Sequence, residues 1–201
     1  MSAVIVENSQ YTFSPVDFGG LLKRPDDDEF FEFCQKNRDW RFERDKDGEI
    51  IIMTPTGWES GKKNAKIARQ LGNWTEKDGR GQSADSSAGY KLPNGAILSP
   101  DASWVLNERL ARVSPEDQKR FLPLAPDFAV ELRSESDSLG RLMSKMTEYV
   151  ENGTTLAWLI DPIESKAYVF GKGGTQTLEK PLSLSGEPFM PGFILDLKEI
   201  W

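Results

Sequence analysis

The sequence predicts an α/β (α+β) domain, a mixed β-sheet flanked by helices and carrying extra β-hairpins. Three observations predict it. Turn signals at Asp47-Gly48 and Pro93-Asn94-Gly95 each separate two strand-like stretches. Leu139, Leu142, Met143, Met146, Tyr149 and Val150 follow helical spacing without a break. The nearly continuous apolar run 156–160 suits a central strand buried on both faces.

The elements follow in order. Residues 1–24 are polar and irregular and read as an N-terminal arm; residues 25–201 read as one domain. Asp26, Asp27, Asp28 and Glu29 suit the N-terminus of a helix over 26–37, with Phe30, Phe33, Cys34 and Asn37 on one side. Residues 40–53 form a hairpin, and Thr54-Pro55-Thr56-Gly57 breaks it. The next helix spans 58–77. Its stripe of Ile67, Leu71 and Trp74 runs back through Asn64 and Ser60, so the line turns polar at its N-terminal end. That end either opens onto a polar site or is a solvated first turn. A second hairpin covers 86–106. Ser114-Pro115 starts a short helix, and Pro126-Asp127 opens the strand 128–133. Ser136 or Asp137 caps the next helix and Asn152-Gly153 ends it; 166–170 pairs with 156–160. The apolar segment 193–201 either packs on a second copy, giving a homodimer, or closes its own core.

Composition narrows the chemistry. The chain has no histidine and a single cysteine, Cys34, in 201 residues. Histidine-based triads, histidine-ligated zinc and an internal disulfide are therefore excluded. What is left is carboxylates, lysines, arginines, hydroxyls, or a hard metal on oxygen ligands. No apolar run approaches the ~18 residues of a membrane span, and the N-terminus lacks the marks of a signal peptide. A cytoplasmic, membrane-free location is expected. The net charge of −7 argues weakly against a surface given over wholly to nucleic acid.

Within that chemistry, Glu131 stands out. Alternation puts Phe128, Val130 and Leu132 on one face of their strand, and Ala129, Glu131 and Arg133 on the other. A carboxylate in a central strand is costly unless paired. Asp101 follows Pro100 in another strand-like stretch. One reading joins Asp101 and Glu131 as ligands of Mg²⁺ or Mn²⁺. The other is structural: an ion pair of Glu131 with Arg133 or Lys145, and Asp101 capping a turn.

The order of segments bears on this choice. DGEIIIMTPTGWES, LPNGAILSPDASWV, PDFAVELRSESDSLGRLMSKMTEYVENG, LAWLIDP and PGFILDLKEIW together resemble a large bacterial family of restriction-endonuclease-like proteins in the PD-(D/E)xK nuclease superfamily. The resemblance runs from about residue 40 to the C-terminus. It implies a restriction-endonuclease-like core and a Mg²⁺-dependent endonuclease hydrolysing phosphodiester bonds of DNA. Pro100-Asp101 resembles the PD of the motif, and Glu131-Leu132-Arg133 its (D/E)xK, with arginine in the lysine place. Arginine stays protonated and is no base. The resemblance implies that Lys145, on the following helix, takes the lysine role when Arg133 does not. It also implies that Glu59 is a third metal ligand beside Asp101 and Glu131. Ser60 stands where the family commonly has histidine, which leaves room for a non-catalytic binding or regulatory module that keeps the fold.

Asp127 is a second Pro-Asp, but it lies about 13 Å along the strand from Glu131 at 3.3 Å per residue, so Asp101 is preferred. Lys62, Lys66 and Arg69 share one helix face and form the candidate nucleic-acid contact. Trp58 and Tyr90 are candidates for stacking on bases, or for packing.

Overall fold

Acids and a cap open the described chain. In the computed structural model, which describes residues 25–201, Asp26 Oδ1 accepts from the Glu29 N–H at 2.8 Å, and Glu29 Oε2 accepts from the Asp26 N–H at 3.0 Å. This capping box starts α1 (Asp27–Lys36). The arm expected over 1–24 lies outside the described residues. Phe30 and Phe33 of α1 pack with Phe42 and Ile97 in a small core. Strands β1 (Arg41–Arg44) and β2 (Ile50–Met53) pair antiparallel. Their turn has Gly48 at φ 83°, where a side chain would be strained.

Helix α2 (Trp58–Asp78) ends on Gly79 in a left-handed conformation. Next comes β3 (Gly81–Asp85), a strand the sequence did not announce. Gly-Gln-Ser-Ala-Asp carries no β-branched or aromatic residue. Its pairing along the whole length of β6 (Ala102–Leu106) makes it a strand. Gly81 permits the contact, because a Cβ there would lie 2.4 Å from Trp104 Cε2 and 2.5 Å from the Val105 carbonyl oxygen. Gly81→Ala is expected to lower stability by about 1–3 kcal/mol through overpacking. Urea unfolding checks this: the midpoint should fall at unchanged slope.

The stretch 86–106, expected as one hairpin, divides between two sheets. Strands β4 (Tyr90–Lys91) and β5 (Ile97–Leu98) form a short hairpin about Gly95. They join the first pair in a four-stranded sheet of order β2-β1-β5-β4. β6 belongs to the main sheet. Pro100 sits between the two, and with no N–H to offer a ladder it marks where the chain changes sheets.

A short helix α3 (Asn107–Leu110) follows β6. Where Ser114-Pro115 predicts a helix there is a single 3₁₀ turn, Asp117–Lys119. Then come β7 (Phe128–Leu132), α4 (Leu139–Glu151), β8 (Leu156–Asp161), β9 (Lys166–Gly171), β10 (Gly174–Glu179), and a two-stranded pair of β11 (Ser183–Ser185) and β12 (Ile194–Asp196). Ser138, not Ser136 or Asp137, stands at the N-cap position of α4, without a side-chain capping bond. The main sheet runs β10-β9-β8-β7-β6-β3. Within it β7 and β8 run parallel, joined by α4 as a crossover; the other neighbours are antiparallel. It is a mixed sheet, as predicted.

Helices cover both faces. Phe128, Val130 and Leu132 meet Ile67 and Leu71 of α2, together with Phe193, Leu195, Leu197 and Ile200. Ala129 on the other face meets Met146 and Tyr149 of α4. Phe193 stacks on Trp158 at 5.6 Å and meets Phe128 edge-on at 5.7 Å. The C-terminal segment thus closes its own core, which removes the observation that pointed to a homodimer. No described helix is long and apolar enough to cross a membrane.

Candidate functional site

The register of β6 on β7 sets the geometry. Ala102 lies opposite Val130 and Ser103 opposite Ala129. The ladder stops one residue short of Asp101 and Glu131, and Asp101 reaches β7 through its own carboxylate. Asp101 is held firmly. Its Oδ2 accepts from the Leu132 N–H at 2.8 Å and its Oδ1 from Asn64 Nδ2 at 3.0 Å. Asn64, past the first turn of α2, therefore meets an acid, while Trp58 and Glu59 in that turn are exposed.

Glu131, 5% exposed, takes its cation from α4. Lys145 Nζ lies 2.8 Å from Glu131 Oε1 and 2.8 Å from Glu43 Oε1. It also donates to the Ser99 carbonyl at 3.4 Å and lies 6.0 Å from the Tyr149 ring centroid. Glu43 is a member of the cluster that sequence reasoning missed. It stands on β1, is 4% exposed, and accepts from the Ser99 N–H at 2.8 Å. Nothing local marks it, since Lys145 is 102 residues away in sequence.

Two buried acids, Glu131 and Glu43, share one lysine, and the charge of Asp101 acts on Glu131 from nearby. Burial pushes Glu131 up to about 8 against the pull of Lys145, and the charges of Asp101 and Glu43 add to the rise. Burial also raises Asp101, opposed by the Leu132 N–H and by Lys145. Lys145 is raised as well, for a different reason. Burial alone would lower it, but Glu131 and Glu43 outweigh that and hold it as an ammonium. Burial thus makes a proton harder to remove from Glu131 and Asp101 than from free carboxyls.

The remaining predicted residues lie apart from this group. Chain alternation ends with β7 at Leu132, and Arg133 turns to β8. Its Nη1 is 2.7 Å from Asp161 Oδ2 and 3.7 Å from Glu164, and its Nε donates to the Asp137 carbonyl at 3.3 Å. The cation on Glu131 is Lys145. Asp127, at the opposite end of β7, accepts from the Leu106 N–H at 2.9 Å and pairs with Arg109 at 2.8 Å. Glu59 is one position off the inward line of Ser60 and Asn64. Its side chain turns outward and pairs with Lys62 at 2.8 Å. Among the described residues no three histidine, cysteine or acidic side chains are grouped to hold an ion. On the same helix, Lys66 and Arg69 lie 3.5 and 3.7 Å from Glu199, and Trp58 is 80% exposed. Tyr90 is buried, with its hydroxyl 2.7 Å from Ser103 Oγ, and packs rather than presents a ring.

The donors at the site fit a hard divalent cation. Asp101 bonds the N–H next to Glu131 and its charge acts on that acid, and Asn64 Oδ1 is buried with no hydrogen-bond partner among the described residues. Mg²⁺ commonly takes one or two carboxylates and fills its shell with water and phosphate oxygens. This pair with a spare amide oxygen suits that habit without a third acid.

Known proteins give a consistent picture. A crystal structure described as "a putative nuclease belonging to DUF820 from Anabaena variabilis ATCC 29413" shares the fold, with a TM-score of 0.67 at 19% identity over 79% of this chain and 88% of that one. A cryo-EM DrdV–DNA complex matches loosely, with a TM-score of 0.38 at 13% identity over 61% of this chain and 12% of that one, too distant to argue from. No curated protein matches. Residues 27–198 match the Uma2 family, whose description is "Putative restriction endonuclease". With that match spanning most of its length and a nuclease-like fold beneath it, the chain belongs to the Uma2 family.

Proposed function

We propose that this chain is a Mg²⁺- or Mn²⁺-dependent endonuclease that hydrolyses phosphodiester bonds of DNA. The observation that carries the proposal is that Asp101 bonds the N–H of Leu132, the residue after Glu131, with an ammonium already against Glu131. Asp101 and Glu131 would hold the ion, with Asn64 beside them. When bound, the ion supplies positive charge to a phosphate oxygen and makes a bound water more acidic. Asp101 keeps its orientation through the Leu132 N–H and Asn64. Lys145, as an ammonium, donates and cannot accept a proton; its part is to offset negative charge gathering on the phosphate. Lys62, Lys66 and Arg69 would meet backbone phosphates along the outer face of α2, with the exposed Trp58 at its end.

The test offers duplex DNA, single-stranded DNA, RNA and nucleotides side by side, each with Mg²⁺ and with Mn²⁺. Metal-dependent cleavage of DNA is expected from the wild type. Asp101→Asn is expected to lower the rate by about a hundredfold or more, since electrostatic groups at such sites contribute several kcal/mol. A second reading has one observation in its favour: Lys145 already stands against Glu131 at 2.8 Å, as in a non-catalytic binding module. No cleavage of any substrate with either metal would decide for that module.

A further inference from the structure

Glu43 lies outside the PD-(D/E)xK pattern and on the other sheet, yet it enters the cluster through two bonds. It is 2.8 Å from Lys145 Nζ and 2.8 Å from the Ser99 N–H, two residues before Asp101. β1 brings it there because Arg44, its neighbour, pairs with Ile97 of β5, which sets the hairpin sheet against the start of β6. Arg44 is itself locked in place, donating to the carbonyls of Pro25 and Gly95 at 3.0 Å each.

Consider what happens to Lys145 when Glu131 turns to an ion. Its side chain is 12% exposed. An ammonium this buried that loses its only carboxylate would be stranded, and leaving one member of a buried pair without the other is strongly unfavourable. That penalty would oppose metal binding directly. Lys145 has a second carboxylate at the same distance, so the penalty does not arise.

We propose that Glu43 is a positioning residue that retains Lys145 when Glu131 is given up to a divalent cation, and so permits the cation to bind. The inference rests on the metal-site reading above and extends it to a residue on a different sheet. Glu43 touches neither the ion nor the substrate in this role. It acts through Lys145, and by holding Ser99 it steadies the turn that carries Asp101.

The test is a double-mutant cycle on Mn²⁺ affinity, read by calorimetry in the full chain without substrate. Glu43→Gln is the probe, because its amide oxygen still accepts from the Ser99 N–H while the charge is gone. In the wild-type background this change is expected to weaken Mn²⁺ binding about tenfold, because Lys145 then falls wholly to Glu131. In a Lys145→Met background the same change is expected to leave the affinity within about twofold, because no lysine is left to retain; coupling of this kind separates a shared partner from independent effects. Should the methionine variant not fold, Lys145→Gln, whose amide still donates, serves as the background. Equal weakening in both backgrounds would mean that Glu43 contributes only its charge, and would overturn the proposal. No weakening in the wild-type background would overturn it as well. A wild type that binds no Mn²⁺, or binds it equally well as Asp101→Asn, overturns the metal-site reading and this proposal with it.

Discussion

Lys145→Met is expected to cost about 3–5 kcal/mol of folding stability at pH 8, the range for removing one member of a buried ion pair. The reason is local. Glu43 and Glu131 are 4% and 5% exposed, and the ammonium between them is within 2.8 Å of both. Without it, two carboxylates face each other in a nearly dry space. They have one remedy, which is to take up protons. The loss is therefore expected to shrink as the pH is lowered to about 5, where protonation of buried acids is easier. Urea unfolding of wild type and variant at both pH values measures this. A loss below about 1 kcal/mol, the range of an exposed pair, and equal at the two pH values, would mean that the lysine is solvated and the cluster is not the dry one described.

The second large effect concerns Glu131 itself. Its folded-state value is pushed up to about 8, from 4.5 for the free side chain. The folded protein then binds the proton more tightly than the unfolded chain does. The stabilisation from this is fully present below about 4.5 and is lost as the pH rises through about 8. Asp101 is raised by burial too and acts in the same direction. Wild-type stability should thus fall between pH 5 and pH 8 by up to a few kcal/mol, with a slope no steeper than about 1.4 kcal/mol per pH unit for one proton. Glu131→Gln mimics the protonated acid and should flatten most of that fall. The two proteins are expected to have similar stability at pH 5, with the variant ahead at pH 8. Thermal or urea unfolding across this interval is the measurement, and two parallel curves would rule out Glu131 as the titrating group.

The two variants also separate roles that the native cluster joins. Lys145→Met removes the cation and leaves the acids. Glu131→Gln removes an acid and leaves the cation with Glu43. Opposite pH dependence of the two differences from wild type, one growing as a loss and one as a gain toward pH 8, would locate the excess proton on the acids.

Much of the fold was legible in local patterns. The helical stripe 139–150 and the apolar run 156–160 became α4 and β8, since burial against a sheet imposes one period on a helix and another on a strand. The turns at Asp47-Gly48 and Asn94-Gly95 were legible because positive φ selects glycine. The absence of histidine bounded the chemistry by composition alone, and the ordered motifs led to the family. Asp101 and Glu131 were legible as a pair only through that resemblance; their spacing alone also suited an ion pair and a cap.

Other features were decided by tertiary structure. β3 has no strand-forming residues and exists because β6 offers a ladder, with Gly81 making room for Trp104. The stretch 86–106 was split because Pro100 stands between two sheets that only the assembled fold supplies. Arg133 and Lys145 competed equally in sequence, and the end of β7 at Leu132 settled it by turning one to Asp161 and leaving Glu131 to the other. Glu59 points outward to Lys62, one helical step from the line of Ser60 and Asn64. Glu43 was invisible because its partner is distant along the chain. Periodicity reports which face of an element is buried, and turn chemistry reports where the chain bends; both are local and can be read from sequence. Which charges meet inside is set by how sheets and helices are placed against one another, and that is a property of the packed molecule alone.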